Sequence, residues 1–446
     1  MIENIDKYNA LRKQYPTFCY QSFEYDITPE GMKITFLFTI GETITFMPTI
    51  TIPQREFYKW NGITKEQYDL LVFNIGMIEL ISYWKATCSP TIVVKPYSLN
   101  EEQIKFWQKL YYNGLSEFFY INGINSTIDD FVNIKTESTC ELSKTHFATT
   151  NSYIVPIGGG KDSVVTLEIL SQAGKDICPM IINPRGATLD CAHIAGYERP
   201  DFIEIQRTIH PKLLELNAQG FLNGHTPFSA MLAFHSLLVA AITGRKHIAL
   251  SNESSANEST IVGTNVNHQY SKSLEFENDF RSYVSSYITD DINYFSFLRP
   301  LSELQIAMFF AKNEKYFDVF KSCNVGSKTD IWCGNCPKCL FAYIILSPFI
   351  KPEVLNGIFG KAMLDDASLQ LYFDQLTGLQ NTKPFECVGT IDEVNTALAM
   401  TIERYYSNCQ LPYLLKNYSK KELITPLNTL SDEHNLDDEL IKLFDL

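Results

Sequence analysis

Residues 153–170 read YIVPIGGGKDSVVTLEIL, and this stretch decides the fold. Tyr153-Ile154-Val155-Pro156-Ile157 is a short apolar run of the kind that forms a buried strand. Val164 to Leu170 reads as the first turns of a helix. Between them lies GGGKDS, residues 158–163. A strand, a glycine-rich turn and a helix together build an anion site. Glycines let the backbone approach a phosphate without side chains in the way. The free N–H groups and the dipole at the helix start then hold the phosphate oxygens. The spacing is neither GxxxxGK[ST] nor GxGxxG. A purely structural turn has no need of adjacent Lys161, Asp162 and Ser163.

A chain of 446 residues has room for about three domains. A hydrophobic share of 45% supports true cores. The formal charge of −14 argues against general nucleic-acid binding while leaving room for a local basic pocket. No run approaches the ~18 apolar residues of a membrane span. The start, MIENIDKYNALRKQYP, lacks the apolar core of a signal peptide. The expectation is a cytoplasmic protein with a small-molecule substrate and no nucleic-acid or membrane partner; the oligomeric state is left open.

Residues 1–145 read as an α+β module. Stretches 23–27, 33–40 and 43–46 form an antiparallel meander, and 67–84 and 101–119 read as helices. Residues 146–345 alternate strand and helix. The strands are expected at 153–157, 177–183, 202–207 and 247–251, and helices at 163–172 and 228–243. That pattern predicts an α/β fold with a doubly wound parallel sheet, whose ligands bind at the carboxyl ends of strands. Residues 346–446 read as mostly helical, with the acidic stretch from Asp432 to Leu446 as a surface helix.

Eleven cysteines is an odd number, and four cluster. Cys333-x2-Cys336-x2-Cys339 begins ten residues after Cys323, which suits a closed, structural zinc site in a reducing compartment. An iron–sulfur centre and free buried thiols are the alternatives. Polar segments follow predicted strands. SNESSANE at 251–258 contains Asn252, Glu253, Asn257 and Glu258. NHQYSKS at 267–273 contains His268, Gln269, Tyr270 and Lys272. Asn223 to Phe228 is a third polar turn, in which His225 alone reads as structural. Arg299, in FLRPL, has the charge and fork to meet a carboxylate or phosphate. In KPFECVGT, residues 383–390, Cys387 precedes a capping box at Thr390–Glu393, with Lys383 nearby.

GGGKDS resembles the SGGxDS loop of the PP-loop ATP pyrophosphatases, with Gly158 in place of the first serine. The resemblance implies an adenine nucleotide alpha hydrolase-like fold. It implies that Gly158, Gly159, Gly160, Lys161, Asp162 and Ser163 hold ATP, Ser163 bonding pyrophosphate and Asp162 holding Mg2+. The cysteine spacing is similar to that of 7-cyano-7-deazaguanine synthase, a PP-loop enzyme that offers the alternative of nucleobase modification; a third reading is a non-catalytic zinc-bearing ATP-binding module. Taken with SNESSANES (251–259), VNHQYSKSLEFE (266–277), FSFLRPLSE (295–303), WCGNCPKC (332–339) and KPFECVGT, the chain resembles the ATP-dependent UDP-N-acetylmuramoyl-L-alanyl-L-glutamate epimerases of peptidoglycan synthesis. That resemblance implies inversion of the terminal L-glutamate of the UDP-muramoyl dipeptide to D-glutamate, with ATP consumed to AMP and pyrophosphate, Mg2+ on the phosphates and structural Zn2+. It leaves the proton-transfer groups open among Cys387, His268, Glu253, Glu258 and Tyr270. Asn252, Asn257, Gln269, Tyr270, Lys272, Arg299, Lys383 and Glu386 are the expected substrate contacts.

Overall fold

A computed structural model of the chain describes residues 2–257, 267, 269–406, 410–419 and 425–444. Eleven strands occur among them: β1 (Thr17–Thr28), β2 (Gly31–Ile40), β3 (Ile44–Phe46), β4 (Thr49–Pro53), β5 (Thr91–Val94), β6 (Asn133–Thr136), β7 (Thr150–Pro156), β8 (Ile177–Ile182), β9 (Ile203–Arg207), β10 (Arg245–Leu250) and β11 (Asn293–Ser296). The chain divides into two compact units that alternate along the sequence. The first comprises Met1–Ile154, Ile203–Ile248 and Gln269–Tyr294; the second comprises Val155–Phe202, Ala249–His268 and Phe295–Leu446.

In the first unit β2 pairs antiparallel with β1, β3 and β4, β4 pairs antiparallel with β9, and β5 and β6 extend the edge in parallel from β1. The turn between β1 and β2 needs Gly31. Its φ is +128°, and a Cβ there would stand 2.1 Å from the Ile52 carbonyl oxygen. Along β2, Met32, Ile34, Phe36, Phe38 and Ile40 are fully buried at a period of two, so one face of the strand forms core. Helix Lys65–Glu79 starts at a capping box between Thr64 and Gln67. The expected helix 67–84 is broken into Lys65–Glu79 and Ile81–Trp84, and 101–119 into Glu101–Gly114 and Ser116–Ile121. Glu79, fully buried, is held by Arg207 Nε and Nη2, each at 2.8 Å. His225 and its neighbours also lie in this unit, where Lys85 donates to the Gly224 carbonyl and, at 2.8 Å, to Thr226 Oγ1.

Strands β11-β10-β7-β8 lie side by side in that order, with β7 and β10 parallel. Their carboxyl ends belong to the second unit. The Ile157 N–H continues β7 to the Met180 carbonyl at 2.8 Å, and the Phe297 N–H continues β11 to the Leu250 carbonyl at 2.7 Å. The chain therefore leaves β7 into GGGKDS, β10 into SNESSANE and β11 into FLRPLSE. The strands expected at 153–157, 177–183, 202–207 and 247–251 and the helices expected at 163–172 and 228–243 fall within three residues of their observed positions, whereas β1 begins six residues before the expected 23–27; the α/β class holds. No described helix is long and apolar enough to cross a membrane.

The tail departs from expectation. In place of a surface helix over 432–446, only Asp438–Ile441 is helical among the described residues of that stretch. The driving force is packing rather than helix propensity. Phe444 is buried, with its ring 4.9 Å from that of Phe297, and Leu440 is buried beside it in sequence. Lys175 pairs with Glu439.

Arg207→Ala would strand the buried Glu79 carboxylate. We expect it to destabilise the fold by about 3–5 kcal/mol, and the paired change Glu79→Met/Arg207→Met to recover most of that loss, as read by urea denaturation.

Candidate active site

Helix Lys161–Gln172 starts at Gly160, whose backbone is extended and which provides no side-chain cap. Its first-turn N–H groups are thus left for an anion rather than consumed by a serine or aspartate at the cap. Each glycine has its own reason. A Cβ on Gly158 would meet open space, so this position leaves the mouth of the loop clear. Gly159 has φ +78°, and a Cβ there would sit 2.9 Å from the backbone of Ala187 and Thr188. The Gly159 carbonyl accepts from Lys321 N–H at 2.8 Å, which ties the loop to the segment leading into the cysteines. Ser163 is buried, its Oγ donating to the Gly160 carbonyl at 3.1 Å.

Lys161 does not point into solvent. It is buried, and its ammonium pairs with both Asp162 and Glu303. Burial pulls the ammonium down, but the charges and hydrogen bonds of Asp162 and Glu303 outweigh it and hold the group above the ordinary lysine range. Burial pushes the carboxyl of Glu303 up, against the attraction of Lys161, and the charges of Asp162 and Glu253 add to the rise. Glu393, also buried, is pushed up by burial as well. One of its oxygens accepts from the Thr390 N–H at 2.6 Å and the other from the Glu303 N–H at 2.7 Å.

The segment after β10 is fixed from β11. Arg299 is 1% exposed; its Nη1 donates to the Glu253 carbonyl at 2.6 Å and its Nη2 to Ser296 Oγ at 3.2 Å. Asn252 Nδ2 donates to the same Ser296 Oγ at 3.0 Å. In this arrangement Arg299 holds the backbone of the polar loop, and Glu253 is buried with its carboxylate close enough to raise both Glu303 and Glu393.

The four cysteines converge. The sulfur atoms of Cys323, Cys333, Cys336 and Cys339 all lie within 4.8 Å of one another. Contacts of 3.8 Å (Cys323–Cys336), 3.7 Å (Cys333–Cys339) and 3.4 Å (Cys336–Cys339) bracket the ~3.8 Å edge of a tetrahedron with zinc–sulfur bonds of about 2.3 Å. That span fits one ion better than a cluster whose ligands stand on different irons. Backbone N–H groups of Gly326 (3.1 Å, to Cys323) and of Asn335 and Cys339 (3.4 Å each, to Cys333 and Cys336) point at the sulfurs and favour thiolates. Gly334 supplies the positive φ of the turn, +65°. The residues fit structural zinc, with four protein ligands and no open position.

The cysteine segment also carries the KPFECVGT stretch. Lys338, between Cys336 and Cys339, donates to the Cys387 carbonyl, and Asn324, next to Cys323, donates to the Glu386 carboxylate. Glu386 is pushed up by burial, against the pull of Lys338. Cys387 is half-buried and Lys383 is buried. Thr390 caps helix Ile391–Thr401 in the expected capping box.

The second unit therefore holds the glycine loop, Asn252, Glu253, Arg299, the four cysteines, Lys383, Glu386 and Cys387. Gln269, Tyr270 and Lys272 belong to the first unit. There Gln269 and Tyr270 are buried, and burial raises the Tyr270 phenol. His268 and Glu258 lie outside the described residues, as does the side chain of Asn257, whose backbone closes the turn Ser254–Asn257. Sequence reasoning missed Glu303 and Glu393. Glu303 ends FSFLRPLSE and Glu393 is the last residue of the capping box, so each had an ordinary helix-start reading that hid its charge partner.

Residues 9–297 match the MurL N-terminal domain and residues 319–421 the MurL C-terminal domain. The chain is similar to the UDP-N-acetyl-alpha-D-muramoyl-L-alanyl-L-glutamate epimerase of Xanthomonas oryzae pv. oryzae, at 35% identity over 83% of this chain and 82% of that protein. Proteins of the same name from Micromonospora sp. (34% identity; 73% of each chain) and Salinispora tropica (33%; 74% and 72%) are also similar.

Freshly purified protein should contain about one zinc per chain by metal analysis. Cys336→Ser should remove that zinc and lower the melting temperature by about 5 °C or more. It should also slow turnover, because the metal frames the segment that carries Cys387.

Proposed function

This chain belongs to the MurL family, and from that premise we propose that it is an ATP-dependent epimerase. It inverts the terminal L-glutamate of UDP-N-acetyl-α-D-muramoyl-L-alanyl-L-glutamate to D-glutamate, in the supply of peptidoglycan precursors. The observation that carries the ATP step is the glycine loop at the end of β7, with an uncapped helix start and Lys161, Asp162 and Ser163 in its first turn. The assignment places the reaction in the cytoplasm, with ATP.

The chemistry gives ATP a purpose. A proton α to a carboxylate resists removal, because a dianionic enediolate would form. The substrate carboxylate oxygen attacks the α-phosphorus of ATP, the bond to the bridging oxygen breaks, and pyrophosphate leaves. The acyl-adenylate has no carboxylate charge, and its α-proton comes within reach of a side-chain base. That base takes the proton from one face, and a donor returns a proton to the other. Water then attacks the acyl carbon, releasing AMP and the D-glutamyl carboxylate. Gly158, Gly159 and Gly160 leave the backbone open to the polyphosphate, Ser163 bonds it and Lys161 offsets its charge. Asp162 would hold Mg2+, which would supply neutralisation of phosphate charge. Cys387 is one proton-transfer group; Glu253, Glu258, His268 and Tyr270 are the candidates for the other. Asn252, Asn257, Gln269, Lys272, Arg299, Lys383 and Glu386 bind the substrate or hold the loops that do.

The test is incubation with ATP, Mg2+ and the UDP-muramoyl dipeptide, then acid hydrolysis and chiral analysis of the glutamate. D-glutamate with stoichiometric AMP is expected; AMP without D-glutamate removes the epimerase reading. Asp162→Asn and Ser163→Ala should each cut AMP formation about 100-fold or more with the melting temperature unchanged. Cys387→Ala separates the two halves of the reaction: it should still release AMP yet fail to invert the glutamate, and solvent deuterium should enter the α-position poorly. Normal inversion by that variant assigns Cys387 to packing.

A further inference from the structure

The end of KPFECVGT does something that its resemblance does not explain. Gly389 lets the buried Glu393 carboxylate reach the backbone of the buried Glu303. A Cβ on Gly389 would stand 2.6 Å from Glu393 Oε2 and 3.2 Å from Glu303 Cγ, so any larger residue pushes the pair apart. The bonds around it form a chain. Thr390 N–H donates to Glu393 Oε2, Glu303 N–H donates to Glu393 Oε1, and the Glu303 carboxylate pairs with the Lys161 ammonium. The members of that chain are all nearly inaccessible: Lys161 is 6% exposed, Glu303 2% and Glu393 3%. A lysine side chain has considerable rotamer entropy to lose when held in one place. Here a charged pair inside the protein fixes it, and the partner's own backbone is fixed in turn by a second acid.

We propose that Glu303 and Glu393 are positioning residues for the adenylation step: Glu393 sets the helix start that carries Glu303, and Glu303 aims the ammonium of Lys161 at the phosphate loop. The inference rests on the proposed ATP chemistry, and it assigns to that site two residues which neither bind zinc nor belong to the glycine loop. It also gives Gly389 and Thr390 a role, as the gap and the anchor that let the second acid reach the first. An aim of this kind matters most where charge develops. Neutralising Glu303 removes a negative group and so need not weaken ground-state binding of ATP. The loss falls on the transition state, when the pyrophosphate takes on charge and the ammonium must already be in place.

The test is a double-mutant cycle on Lys161 and Glu303, read as single-turnover AMP release with ATP, Mg2+ and the UDP-muramoyl dipeptide, with ATP affinity measured by calorimetry. Glu303→Gln should slow AMP release by about 30-fold while the Kd for ATP rises less than about 2-fold. In the Lys161→Met background the same change should cost less than about 3-fold, since its route of action is gone. Glu393→Gln and Gly389→Ala should show the same pattern more weakly, and they carry the test if Glu303→Gln loses its zinc or its cooperative melting. Costs that multiply across the cycle, or near-normal AMP release in Glu303→Gln, overturn the proposal. A wild-type chain that makes AMP but no D-glutamate removes the epimerase reading and leaves the cycle decisive; one that makes no AMP removes both.

Discussion

The second unit depends on one ammonium. Lys161 is buried against two carboxylates whose own burial would otherwise be costly: Asp162 and Glu303 touch it, and the charge of Glu253 reaches Glu303 and Glu393 in turn. A buried carboxylate without a partner costs several kcal/mol, and so does a buried ammonium. Together they are tolerable only if each is hydrogen-bonded in a fixed geometry. The strand ends supply that geometry. Lys161 comes from the loop after β7 and Glu303 from the helix that follows β11, and Glu253, from the segment after β10, lies near enough to Glu303 for its charge to act there. Arg299 serves the same arrangement from beneath, by holding the Glu253 backbone.

The cysteine cluster is the other frame. Its ligands have no open position for chemistry, yet the residues beside them reach the segment that matters. Asn324 follows Cys323 and bonds Glu386; Lys338 lies between Cys336 and Cys339 and bonds the Cys387 carbonyl. Short segments of irregular backbone have little apolar surface to bury, and a tetrahedral ion held by these sulfurs would replace the missing core. Such an ion would govern the placement of Cys387 without touching substrate.

Much of this was readable in the residues. The run from Tyr153 to Leu170 carries its strand, turn and helix in local pattern alone, because apolar period and glycine placement are local properties. The four cysteines announce themselves by spacing, and Thr390–Glu393 by its capping box. What stayed hidden has a common cause. Glu303, Glu393, Lys338 and Asn324 gain their meaning from partners far along the chain, 142 residues apart for Lys161 and Glu303 and 90 for Glu303 and Glu393. A glutamate in the first turn of a helix is favourable on its own account, through the helix dipole. Nothing nearby in sequence says that it is also a ligand of a buried lysine. The tail failed for the opposite reason: its acidic composition favoured a solvated helix, while Leu440 and Phe444 found a core to enter.

The excess of acids over bases around Lys161 bears on why the proposed adenylation and inversion would belong in one enzyme. A site crowded with Asp162, Glu253, Glu303 and Glu393 is a poor host for a carboxylate that must become an enediolate dianion, because each neighbouring negative charge raises the energy of the next. The same surroundings suit a carboxyl base, since burial among acids raises a carboxyl group toward neutral pH, as it does Glu303 and Glu393. In the proposed mechanism, adenylation would convert the substrate carboxylate to a mixed anhydride and remove its charge before the α-carbon ionises. The surroundings that would oppose inversion of the free acid would then oppose only a single developing charge. ATP would thus be consumed less for driving force than for electrostatic compatibility, since the two epimers differ little in free energy and the barrier between them is a matter of charge.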